Sequence, residues 1–445
     1  MSFSKGGALM SLIHFNQILV FSPITHTQMT WTDETDRQAS GLVSPQYWQD
    51  IAKKLEAGGF DGVFFADTLS LADRDPAEAR RTMEAGALFP RMDPFALIPY
   101  MASVTSHLGF GATLSTAGTP PFLAARRLAT LDNMTGGRVA WNVVTSHVKS
   151  DYDALGLSQP DHDTRYDVAD EYMEICYRLW DGFPRDALVM DAERRMFVDA
   201  TKISRVEFSG KYLNCDAYPV TMCSPQGRPL IFQAGQSGRG LEFAATHADA
   251  IYALQSRLAS MTAFVTRARE TAAKLGQKRD PRIFFGLQPI VGGTEEEARA
   301  RAEALKQRVP IDVAMSRLGA MIGIDLSKHD PDKPLEEVST EASRGILMAV
   351  LDSIGDRAPT VREAALHWGV AYGSGQIVGT PEQVADEIER HWRESGCYGF
   401  NISPTNNPSS VIDFVEEVAP ILRKRGLMRD GYAGTTYRQN LDQKS

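Results

Sequence analysis

The strongest constraint on the fold is a regular alternation. Eight short runs rich in apolar and β-branched residues recur along 445 residues, each followed by a helical pattern. The runs are His14–Phe21, Asp61–Asp67, Leu108–Thr116, Val139–Ser146, Leu230–Ala234, Ala250–Leu254, Arg282–Val291 and Gly399–Pro404. The helical segments between them carry stop and start signals. Ser44 stands as an N-cap before Pro45–Ala57, Gly58 and Gly59 end that segment, and Pro94 sits in the first turn of Asp93–Thr105. A helical crossover returns the chain in the same direction as the strand before it, so the pattern predicts a parallel sheet. Eight βα units over this length predict an α/β fold closed as a (β/α)8 TIM barrel.

Two stretches break the alternation, near 184–228 and 310–376. They are too long to be ordinary connections and are expected to shape or cover a site. The first carries a hairpin pattern around Phe208–Asn214. The organisation expected is one barrel domain over 13–425, with the two insertions, an N-terminal arm over 1–12 and a C-terminal arm over 426–445.

Composition narrows the function. The net charge is −9, from 47 basic and 56 acidic residues, and no block of Lys or Arg stands out. Nucleic acid and anionic membrane surfaces are therefore not the expected partners. No apolar run approaches the ~20 residues that span a bilayer, and residues 1–10 lack the apolar core of a signal peptide. Cys176, Cys215, Cys223 and Cys397 form no CxxC pair and no disulfide framework. The expectation is a soluble cytoplasmic protein. No HExxH, HxH or clustered Cys/His spacing suggests a metal, no GxSxG elbow suggests a serine hydrolase, and Asp67 has no second carboxylate at a strand end to suggest a glycosidase.

In such a barrel chemistry lies at the C-terminal ends of the strands. Polar residues inside apolar strands are costly unless something satisfies them, and several cluster at those ends: His26 after the first run, Asp67, Thr113, and Asn142 with His147. His147 stands where a general acid or base is useful, or is a capped loop histidine. In LIFQAGQSGRGLEFAA (230–245) a strand enters a Gly-rich turn and a helix begins near Gly238. Its backbone N–H groups and the Ser237 hydroxyl form a candidate anion cradle, or an ordinary tight turn. The order is GxxGxG, not the dinucleotide GxGxxG. In HDTRYDVADEY (162–172), His162 and Tyr166 lie four apart at a helix entrance, within reach of a phosphate, or belong to an N-terminal capping arrangement.

Read together, FDGVFFAD (60–67), LGFGATLST (108–116), PPFLAARRLATLDNMTGGRVAWNVVTS (120–146), HDTRYDVADEY (162–172), QAGQSGRGLEFAA (233–245), VGTPEQVADEI (378–388), GFNI (399–402) and KRGL (424–427) form an ordered set. This set resembles the flavin-dependent monooxygenases of the bacterial luciferase superfamily, in the branch holding nitrilotriacetate, dibenzothiophene-sulfone, EDTA and long-chain alkane monooxygenases. The resemblance runs from about Leu12 to the C-terminus. It implies a TIM barrel with insertions, reduced FMN (FMNH2) delivered by a separate NAD(P)H:flavin reductase, O2 as co-substrate, and a dimer or tetramer. Carried over by motif, Asp67, Thr113 and Asn142 face the flavin, and His162, Tyr166, Ser237 and the Gly238 amide hold its phosphate end. His147 and His26 resemble polar pocket positions and are candidate proton donors or substrate anchors. Arg317 in the second insertion is a candidate for an anionic or carbonyl-bearing substrate, or an exposed surface residue. Leu69, Leu71, Ala72, Leu88 and Phe89 favour a partly hydrophobic or heteroaromatic substrate over a polyanionic chelator. The implied reaction is a two-component monooxygenation through a flavin–oxygen adduct, as in xenobiotic degradation. The alternatives are an FMN-dependent C–N or C–S bond-cleaving enzyme of the same fold, or a non-catalytic flavin-binding protein.

Overall fold

The computed structural model describes residues 12–71, 76–146, 148–236, 238–335, 350–351, 354 and 359–443. Eight parallel strands close on themselves: β1 (His14–Leu19), β2 (Gly62–Phe65), β3 (Gly109–Ser115), β4 (Val139–Val144), β5 (Leu230–Gln233), β6 (Ala250–Ala253), β7 (Ile283–Val291) and, after a further strand β8 (Gly375–Gly379), β9 (Gly399–Ile402). β9 pairs with β7 on one side and β1 on the other, which shuts the barrel. Helices cover the outside, so both faces of each strand are dry. That is why β1, β2, β3, β5, β7 and β9 are buried at every position, and why a strand such as β2 (GVFF) reads as an unbroken apolar run. All eight barrel strands fall on the runs read from the sequence.

Local chemistry sets the helix boundaries. The Ser44 side chain accepts from the Tyr47 amide at 3.4 Å, and Asp93 accepts from the Phe95 amide at 2.8 Å. Thr380 and Gln383 form a reciprocal capping box at the start of Pro381–Ser395.

The two insertions differ. Residues in the first form two antiparallel hairpins, Leu188–Asp191 with Met196–Val198 and Val206–Ser209 with Asn214–Ala217. Glu171, on the helix His162–Asp181, accepts from the Lys211, Tyr212 and Leu213 amides at 2.7, 2.9 and 2.8 Å, fastening the second hairpin to that helix. The second insertion is more regular than its sequence suggests. It holds the helices Ile311–Ile322 and Val361–Ala371, with Leu318, Ile322, Ala365 and Trp368 in a satellite core. It also holds β8, which pairs along the far half of β7. Five residues bounded by glycines are too short to announce a strand.

The segment expected as a C-terminal arm closes the N-terminal mouth of the barrel. Tyr437 is fully buried there, and its hydroxyl donates to Asn16 Oδ1 at 2.6 Å. Gly62 and Gly109 open β2 and β3 under this side chain, and a Cβ on them would fall 2.4 Å from its hydroxyl and 2.3 Å from its ring. Beside this plug Asp61 accepts from the Phe15 amide at 2.7 Å, bonds His14 Nδ1 at 2.8 Å and pairs with Arg429. Burial alone would raise the Asp61 carboxyl; the Arg429 and His14 charges hold it below its ordinary value. With this end filled, the C-terminal mouth is left for ligands. All four cysteines are free. Among the described residues no helix is long and apolar enough to cross a membrane.

Candidate active site

A cavity of about 420 Å³ opens at the C-terminal ends of β2 and β3. Its floor is Thr113 and Leu114. Its walls come from Asp67–Leu71 after β2 and from the loop Leu88–Phe95. Its roof is the second insertion, through Arg317, Met321 and Tyr372. The first insertion adds no residue to this cavity. Of the apolar residues expected around the substrate, Leu69, Leu71, Leu88 and Phe89 line it; Ala72 lies outside the described residues.

Thr113 and Asn142 face one another across paired strands, in register. The Thr113 hydroxyl donates to the Phe65 carbonyl at 2.7 Å, so its oxygen is left to accept, and Asn142 Nδ2 donates to it at 2.8 Å. This fixes the amide orientation and turns Asn142 Oδ1 the other way. That oxygen is buried and, among the described residues, has no hydrogen-bond partner. An orphaned buried acceptor is costly, by about 1–3 kcal/mol, and its natural remedy is a ligand N–H.

Asp67 lies two residues beyond β2, and its Oδ1 accepts from the Thr68 amide at 2.9 Å. Burial pushes its carboxyl up to about 6, against the pull of Arg91, whose Nε lies 3.7 Å away. Arg91 also donates to the Thr68 side chain. His26 is buried and stacked on Tyr372, ring centroids 4.4 Å apart and nearly parallel. Burial, with the Arg91 and Arg317 charges adding to it, lowers its imidazole to about 3. His26 is therefore neutral at physiological pH and does not serve as an imidazolium acid.

Further round the barrel, the helix Gly238–His247 begins just after β5. A Cβ on Gly238 would meet nothing within 4 Å, so space lies open above its first turn. His162 and Tyr166 stand beside this helix. The two rings meet edge to face at 5.3 Å, Tyr166 packs 5.6 Å from Phe243, and the Arg239 guanidinium lies 5.7 Å over the Tyr166 ring. His162 is half exposed and bonds Asp163 at 2.7 Å. His147 and Ser237 lie outside the described residues. The structure thus brings Asp67, Thr113 and Asn142 together at the ends of neighbouring strands, and His162, Tyr166 and Gly238 together beside β5.

Arg317, for which sequence left open an exposed surface position, is 5% exposed and faces the cavity. Arg91 and Tyr372 were not singled out from sequence. Arg91 sits in FPRMDP, which reads as a plain loop. Tyr372 follows a helix in the left-handed conformation (φ 51°), ahead of Gly373 (φ 78°). A bulky residue at positive φ is uncommon and marks a constrained site, but sequence does not reveal φ.

A family model for luciferase-like monooxygenases matches residues 17–399. The chain belongs to the luciferase-like monooxygenase family. This luciferase-like monooxygenase is 37% identical over 415 residues to dimethyl-sulfide monooxygenase from Hyphomicrobium sulfonivorans, covering 93% of this chain and 86% of that protein. It is 33% identical over 404 residues to nitrilotriacetate monooxygenase component A from Aminobacter aminovorans, covering 89% of each chain. Among solved structures it is similar to riboflavin lyase with modified FMN and substrate riboflavin, with a TM-score of 0.88, 32% identity, and coverage of 98% and 96% of the two chains.

The residues present fit a flavin mononucleotide. The orphaned Asn142 acceptor suits a ring N–H, and the open helix start at Gly238 suits a single phosphate.

Proposed function

We propose that this chain is the oxygenase of a two-component system that uses FMNH2 and O2 to oxidise a small, partly hydrophobic organic compound. The observation that carries the reading is the buried, unpartnered Asn142 oxygen at the end of β4, with an apolar-walled cavity close by at Thr113. In this reading Asp67, Thr113 and Asn142 hold the flavin ring, and His162, Tyr166, Ser237 and the Gly238 amide hold the phosphate. Reduced FMN, when bound, supplies the electrons that activate O2. The chain supplies the surroundings. The buried Leu88 and Met321 give the cavity a dry wall, Leu69 and Phe89 form its apolar rim, and the helix Ile311–Ile322 roofs it. His147 is assigned the proton transfer at the substrate. His26, neutral and stacked on Tyr372, is assigned the orientation of the cavity wall through that ring. The electrons are assigned to a separate NAD(P)H:flavin reductase, in keeping with a relative named as one component of its enzyme. The chain is taken to act as a homo-oligomer in the cytoplasm.

Turnover under ¹⁸O2 with a generic flavin reductase tests this. Label in both product and water is expected. Products free of label would transfer support to FMN-dependent C–N or C–S cleavage. Absence of turnover with any candidate, despite tight flavin binding, would favour a non-catalytic flavin binder.

A further inference from the structure

Among the described residues the Arg317 guanidinium has no counter-charge in contact with it. Its residue is 5% exposed, Nε has no hydrogen-bond partner, and among the described residues no hydrogen bond or ion pair joins it. Burial, with the Arg91 charge adding, holds its pKa below the ordinary value, while Tyr372 and Glu78 act through space in the opposite sense. Glu78 accepts from the Ser316 hydroxyl at 3.1 Å. Among the described residues, the other cations lining the cavity are engaged. Arg91 has Asp67 at 3.7 Å and the Thr68 side chain; Arg127 lies 5.5 Å over the Phe95 ring. A buried guanidinium is tolerated when a partner satisfies it, and its planar fork matches an oxyanion of the carboxylate or sulfonate type.

We infer that the cavity selects an organic monoanion with an apolar body, its carboxylate-type group seated on Arg317 and its body against Leu69, Leu71, Leu88, Phe89 and Met321. A neutral sulfide or alkane would leave Arg317 unpaired. A polyanion would press its further charges against leucine and phenylalanine. The inference rests on the proposed function for calling that anion the substrate; recognition of the anion does not require the flavin.

The test is calorimetric titration, with and without FMN, using straight-chain carboxylates from butanoate to dodecanoate and the primary amide of each. The acid of the best-fitting length should bind at least tenfold tighter than its amide. Arg317→Met should abolish that preference and keep the amide affinity. Its melting temperature should match or exceed that of the parent, because an unmatched buried charge has gone. Arg317→Lys keeps the charge without the fork and should lose at least threefold for the acid; it serves as the second variant if Arg317→Met does not fold. Equal binding of acids and amides, an acid preference that survives Arg317→Met, or no binding by any acid would overturn the inference. Acid preference in a protein that binds no FMN would remove the flavin reading and leave anion recognition standing.

Discussion

Asp67→Asn should make the protein more stable at neutral pH, and the gain should vanish in acid. The Asp67 carboxyl rises from 3.8 to about 6 on folding, because burial outweighs Arg91 at 3.7 Å. A carboxyl whose folded pKa is raised favours its protonated form in the native state. Between pH 3.8 and about 6 the folded protein therefore holds a proton that the unfolded chain has released, and stability falls as pH rises through that window. The loss is complete above it. At about 1.4 kcal/mol per pH unit it amounts to about 3 kcal/mol at pH 7, about half that at pH 5, and roughly 0.5 kcal/mol at pH 4. Asparagine imitates the neutral carboxyl and can still accept from the Thr68 amide, so it removes the penalty without removing that hydrogen bond. Urea unfolding of both proteins at matched pH from 4 to 8 reads the difference directly. Stability curves that run parallel across this range would refute the assignment of a raised carboxyl at the cavity wall.

Three further outcomes are expected. Asn142→Leu removes the orphaned acceptor, so it should leave thermal stability equal or higher while weakening reduced FMN by about 5- to 150-fold, from ~1–3 kcal/mol for the lost hydrogen bond; unchanged affinity in an anaerobic titration would argue against Asn142 as a flavin contact. Tyr437→Ala should cost about 3–5 kcal/mol in urea unfolding, since it empties the buried N-terminal mouth over Gly62 and Gly109; Tyr437→Phe, which loses only the bond to Asn16, should cost about 1 kcal/mol. His26 should remain a neutral imidazole in nitrogen-edited NMR down to pH 5, because its folded value is about 3. Its contribution to stability is present above about 6.5 and lost as pH falls toward 3. A signal titrating near 6.5 would contradict its burial behind Tyr372.

The barrel was legible because its strands are buried on both faces and separated by capped helices. Apolar runs such as Gly62–Phe65 and helix signals such as Ser44-Pro45 are local features, and local features survive in one dimension. Asp67, Thr113 and Asn142 were legible for the opposite reason: each is a polar residue in or just beyond an apolar strand. The second insertion was not legible as helices and a strand. Val361–Ala371 is held by its capping box and by packing on Ile311–Ile322, and β8 exists because β7 runs on past the barrel wall to meet it. Arg317 and Arg91 illustrate a further limit. Whether an arginine is a solvated surface group or a buried cation depends on what folds over it, and the helix carrying Arg317 comes from more than 200 residues along the chain from Arg91. Tyr372 enters the site through a left-handed backbone that no residue type at that position announces.

We propose that the C-terminal mouth of this barrel holds reduced FMN. The most direct measurement is an anaerobic titration of the purified protein with FMN, first oxidised and then photoreduced, repeated on Ser237→Ala and Asn142→Leu. Binding of the reduced form in roughly the low micromolar range or tighter, weakened by each substitution, is expected. Failure of both redox forms to bind, or affinity indifferent to both substitutions, would contradict it.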